Sequence, residues 1–143
     1  MIGIIIAIIS GLSMTIQGVF NTRLSEKIGT WETNCIVQLT GLIITVIITL
    51  FFGKGNFKAL GSASKLYMLG GAVGVVIIFT VMKSIGLLGT TFAVAVILVS
   101  QLLFAAIIDA FGLFGSEKIN FTLKEIIGVA IIILGIIVFK WKH

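Results

Sequence analysis

Apolar residues run through this chain in long blocks, and the polar ones gather in short intervals between them. Five blocks can be read, over 2–20, 31–52, 66–81, 87–111 and 125–139. A bilayer core of about 30 Å takes about 20 helical residues, with roughly 17 to 25 tolerated. Most of the blocks meet or nearly meet that length, the third and fifth being the short ones. Each block is apolar all round, without a period of 3.6 or 2, as a buried or lipid-facing helix should be. The intervals carry boundary signals. Residues 21–30 include Arg23, Glu26 and Lys27, and 53–65 mix glycine and serine with Lys54, Lys58 and Lys65. Residues 82–86 read as a tight turn with Lys83 and Gly86, and 112–124 hold Gly112, Gly115, Ser116 and Asn120. The pattern predicts an all-α membrane protein with five transmembrane helices in a single transmembrane domain over residues 1–143. The chain has no proline, so any break in a helix must come from glycine.

Composition points the same way, with 59% hydrophobic residues, 10% charged and a mean hydropathy of +1.28. The net charge of +5 would suggest nucleic acid in a soluble protein. Here the cations stand at helix ends, where they meet lipid headgroups and snorkel, so no nucleic-acid partner is expected. Their distribution says more. With the N-terminal side as side A, the connections place Lys54, Lys58, Lys65, Lys118 and Lys124 there. Side B receives Arg23, Lys27, Lys83, Lys140 and Lys142, five against five. An excess of Lys and Arg on the cytoplasmic side orients most small membrane proteins. Without one, insertion in both orientations is expected, and such a chain can pair with its own inverted copy. Inverted pairs are the architecture of many secondary transporters.

Catalytic chemistry finds no footing. The lone Cys35 excludes an internal disulfide and offers no metal spacing, and the single His143 reads as a solvated terminal residue. No nucleophile set, phosphate loop or metal cluster can be assembled, so neither an enzyme nor a cofactor or metal is expected. The first block lacks a basic start and a small-residue cleavage site, and reads as a retained helix rather than a signal peptide.

The candidate chemistry lies in polar residues within the apolar blocks. All three glutamines, Gln17, Gln38 and Gln101, fall there. A carboxamide in hydrocarbon costs a few kcal/mol unless it is hydrogen-bonded. At 1.5 Å per residue, Gln38 and Gln101 lie within about 5 Å of their helix midpoints and Gln17 about 9 Å from its own, toward side B. Asn21 and Asn34 continue the track to side B, and Ser100 precedes Gln101. These six residues are the candidate substrate site. Interhelical hydrogen bonding that merely holds the bundle together is the competing explanation. Asp109 and Glu32, at block margins, are candidates for coupling or gating, although interfacial placement explains them as well. Small residues recur at Gly3, Ala7 and Gly11, at Gly70 and Gly74, and at Gly128 and Gly135. Such stripes let backbones approach closely in lipid. The fifth block lacks polar side chains between Gly128 and Phe139, so its stripe favours dimer packing over a wet path.

The segment 89–115, GTTFAVAVILVSQLLFAAIIDAFGLFG, carries a family resemblance through Ser100-Gln101, Asp109 eight residues later and the exit Phe111-Gly112-Leu113-Phe114-Gly115. The chain resembles the YdcZ-type inner-membrane exporters, a five-helix branch of the drug/metabolite transporter superfamily. Gly11 to Leu24 and the surroundings of Gly128 and Gly135 fit the same pattern. The resemblance implies an antiparallel dual-topology homodimer in a bacterial-type inner membrane, moving small molecules by alternating access. Small multidrug exporters of that superfamily use a first-helix carboxylate for cation and proton coupling, and this chain has Gln17 and no acid there. The partners expected are therefore a polar small molecule, membrane lipid and an inverted copy. A dual-topology channel and an accessory subunit of a membrane complex are the alternatives.

Overall fold

The computed structural model describes residues 1–119 and 122–140. Asn120, Lys142 and His143, named above, lie outside the described residues. The others form five α-helices: α1 (Ile2–Ile28), α2 (Thr30–Phe52), α3 (Gly70–Leu88), α4 (Thr90–Phe111) and α5 (Leu123–Lys140). Short 3₁₀ segments occupy Phe57–Ser62, Lys65–Leu69 and Leu113–Gly115. Among the described residues, four elements are long and apolar enough to cross a membrane: α1, α2, α4 and the 24-residue run Lys65–Leu88, in which a 3₁₀ turn leads into α3. The 18-residue α5 carries Lys124, Glu125 and Lys140 at its ends.

Two helices extend beyond the bounds predicted from polarity. The interval 21–30 is helical to Ile28, and the expected turn at 82–86 is the last part of α3. The polar side chains in the first interval serve the helix itself. The Thr22 hydroxyl donates to the Gly18 carbonyl at 2.7 Å, the Ser25 hydroxyl donates to Thr22 O at 2.8 Å, and Arg23 pairs with Glu26 at 3.2 Å. Glycine makes the breaks instead. Gly29 (φ 99°, ψ 158°) separates α1 from α2, and Gly89 (φ 77°, ψ 159°) precedes α4. Both positions require the positive φ that costs glycine nothing. Each glycine carbonyl then accepts the first bond of the following helix, from Thr33 N and Ala93 N at 3.1 Å. At the head of α5, Glu125 reaches back to Thr122, the carboxylate half of a capping box: Thr122 N donates to the Glu125 carboxylate at 2.8 Å, and the Thr122 hydroxyl donates to the same group.

The chain divides into two compact units, Met1–Leu87 and one beginning at Leu88. In the first, α1 packs on α2, and both meet α3. Gly18 permits the close approach of α1 to α3, since a Cβ there would lie 2.8 Å from Ile85 Cδ1 and 3.1 Å from Val81 Cγ1. From α2, Trp31 stacks on Phe79 of α3 with ring centroids 4.7 Å apart. In the second unit, α4 packs on α5.

Candidate functional site

The most buried side chains of the first unit are polar to an unusual degree for so apolar a chain. Asn21, Thr22, Thr33 and Asn34 are all buried, beside the apolar Met82 and Ile85. They come from the end of α1 and the first turns of α2, on either side of the Gly29 break. Helical spacing explains the selection: Trp31, Asn34 and Gln38 at i, i+3 and i+7 share one face of α2. That face meets α3. The Asn34 Nδ2 donates to the backbone carbonyl of Val75 at 2.8 Å. A turn further along, the Gln38 carboxamide lies beside Gly74, where a Cβ would meet Nε2 in ordinary contact at 3.4 Å. Thr33 is fully buried and donates to Gly29 O at 2.8 Å.

Asn34 differs from its neighbours in one respect. Its Oδ1 is buried and has no hydrogen-bond partner among the described residues. A buried acceptor left unpaired costs about 1–3 kcal/mol, so this oxygen is poised to receive an N–H or O–H group.

Structure within the first unit thus brings Asn21, Asn34 and Gln38 to the region where α1 and α2 meet α3. Gln17, one residue before Gly18, is exposed, and its carboxamide has no hydrogen bond among the described residues. Glu32 is also exposed, and its carboxylate folds over Gly29, where a Cβ would collide with it. An acid in the first turn of α2 complements the positive end of the helix dipole. That placement lets Glu32 support the start of α2, whatever else the carboxylate does.

In the second unit Ser100 and Gln101 face different ways. Ser100 lines a cavity of about 190 Å³ between α4 and α5, with Val96, Val99, Ile133, Ile136 and Ile137, and its hydroxyl donates to Val96 O at 2.9 Å. Gln101 is exposed near the middle of α4, without a hydrogen bond among the described residues. Asp109 is half-buried one turn before the left-handed Gly112 (φ 64°), and its backbone carbonyl accepts from Ile119 N at 2.9 Å. Gly128 and Gly135 have nothing within 4 Å of an added Cβ, so α5 offers open stripes at both.

Several participants are not singled out by residue type alone. Thr33 and Thr22 are among the buried polar set, and the Val75 carbonyl is the acceptor that holds Asn34. The i, i+3 pairing of Trp31 with Asn34 was the available signal for the contact face. At the other end of the second unit, Lys140 Nζ lies 4.3 Å from the centroid of Phe92, a cation–π contact. Both residues border a cavity of about 450 Å³ with Thr90 and Thr91.

Residues 2–138 fit the family model DMT_YdcZ, described as "Putative inner membrane exporter, YdcZ". Neither the curated proteins nor the solved structures searched contain a match to the chain.

Proposed function

This chain belongs to the YdcZ inner-membrane exporter family, and from that premise we propose that it is a secondary transporter for a polar small molecule, working as an inverted homodimer. In this reading α5 is a fifth span. Its 18 residues cover about 27 Å at 1.5 Å per residue, close to the bilayer core. The N-terminus and the C-terminus would then lie on opposite sides, and two copies in opposite orientation would form a symmetric pair.

The observation that carries the proposal is the buried, unpartnered Oδ1 of Asn34. A protein that needed only to stand in the membrane would gain by placing an apolar side chain there. An acceptor held in place by its own amide on Val75 O suits a molecule bearing hydrogen-bond donors. Exposed Gln101 and Gln17 add to this: carboxamides at such depths need partners in hydrocarbon, which a substrate or an inverted copy would supply. Asn34, Gln38, Gln17 and Asn21 of the first unit, and Gln101 and Ser100 of the second, are the proposed substrate contacts. Asp109 and Glu32 are proposed to act in coupling or gating. Members of pairs built this way alternate access by rocking around a fixed midplane site.

Proteoliposome flux is the test, using metabolites chosen by their thermal stabilisation of the purified protein. A carrier gives slow, saturable flux, and Gln101→Leu should abolish it while leaving a folded dimer, since that change removes the polar group altogether. Fast, non-saturating flux would indicate a channel instead. No flux from the protein alone would indicate an accessory subunit.

A further inference from the structure

The connection between α2 and α3 holds a cleft that the transport reading does not use. Its volume is about 610 Å³, and its lining comprises Thr49 and Gly53 at the end of α2 with Asn56, Phe57, Leu60 and Ala63 from the connection. In a 3₁₀ helix residues three apart eclipse one another, so Phe57 and Leu60 stack along one edge of the turn Phe57–Ser62, and Ala63 follows as its extended C-cap. The Asn56 side chain caps this turn by accepting from Lys58 N at 2.9 Å. Phe57 and Leu60 remain 80% and 51% exposed, so the cleft is apolar and open at its rim.

Charge around it has one sign. Lys54, Lys58 and Lys65 flank the cleft in sequence, and no Asp or Glu occurs between Glu32 and Asp109. None of the three lysines has an ion pair among the described residues. The cleft also lies between the end of α2 and the Lys65–Leu88 run, two elements long and apolar enough to cross a membrane, and the ends of such elements meet the junction of lipid headgroup and chain.

We propose that this connection is a binding site for an anionic phospholipid, with an acyl chain against Phe57, Leu60 and Ala63 and the phosphate among Lys54, Lys58 and Lys65. The proposal is independent of which molecule the protein transports. Neutral lipid would gain the apolar contact but lose the attraction of three cations, each of which favours an anionic surface substantially.

Native mass spectrometry of the detergent-purified protein tests it, with phosphatidylglycerol and phosphatidylcholine of identical chains as probes. Wild-type protein should prefer phosphatidylglycerol by roughly a hundredfold. In the triple variant Lys54→Gln, Lys58→Gln, Lys65→Gln the two lipids should bind alike. Ala63→Phe, which fills the cleft, should weaken phosphatidylglycerol at least roughly tenfold with all lysines present. Leu60→Ala takes its place, with the same expectation, should Ala63→Phe fail to fold. Equal binding of the two lipids by wild-type protein would overturn the site. A preference that survives the triple change, indifference to the cleft variant, or displacement of the lipid by equimolar inorganic phosphate would do the same.

Discussion

Asn34 and the carbonyl of Val75 are joined at 2.8 Å across the α2–α3 contact, while the other end of the same side chain finds no partner among the described residues. The two halves of this carboxamide predict opposite responses to substitution. Asn34→Leu loses one hydrogen bond but also removes the unpaired oxygen, so its net cost should be no more than about 1 kcal/mol. Asn34→Asp removes the donor and buries a second acceptor against a carbonyl, for a loss of about 3 kcal/mol or more at neutral pH. Thermal unfolding of the purified variants in detergent gives the order. A leucine variant less stable than the aspartate variant would mean that the oxygen is already satisfied.

Gly18 makes a second, sharper demand. A methyl there would meet Ile85 Cδ1 at 2.8 Å and Val81 Cγ1 at 3.1 Å. Gly18→Val should therefore push α1 from α3 and destabilise the fold by about 1–3 kcal/mol. Gly11, two turns earlier on the same helix, has nothing within 4 Å of an added Cβ, and Gly11→Ala should leave the unfolding temperature of the monomer unchanged. Equal effects at the two positions would show that the α1–α3 contact is not as close as described.

The stripe on α5 separates folding from assembly. Among the described residues nothing lies within 4 Å of an added Cβ at Gly128 or Gly135, so Gly128→Leu and Gly135→Leu should each leave the monomer folded. Both should weaken dimerisation, because a bulky side chain forces apart backbones that meet at small residues. Subunit exchange between differently labelled protomers measures this. If both variants exchange as wild type does, the pairing surface lies elsewhere.

The sequence made the helices legible but not all their ends, and the reason is visible at 21–28. Polarity there indicates a loop to any reading based on apolar blocks. Yet Thr22 and Ser25 spend their hydroxyls on carbonyls of their own helix, Arg23 pairs with Glu26, and the helix runs on until Gly29. At Lys83 the same thing happens in α3, which continues to Leu88. For the candidate site, the cost of carboxamides in hydrocarbon singled out Asn34 and the glutamines by residue type alone. What could not be read was the partner. Asn34 bonds to a backbone carbonyl, a group that every residue carries, so nothing in the identity of Val75 advertises the contact. The stacking of Trp31 on Phe79 was hidden in the same way, since both rings could equally have faced lipid.

The proposal of an inverted homodimer stands or falls on orientation in the membrane. Ser62→Cys in a Cys35→Ser background places one thiol in the exposed connection between α2 and α3. A membrane-impermeant maleimide applied to intact cells, and then to inverted vesicles, counts the chains facing each way. With α5 as the fifth span, as proposed, the sequence divides its basic residues five and five between the two sides, and about half the thiols should label from each face. Adding two lysines on side B, at Ser25 and Leu87, should shift the thiol to the outer face. Labelling of the otherwise native chain from one face alone would contradict the inverted pair.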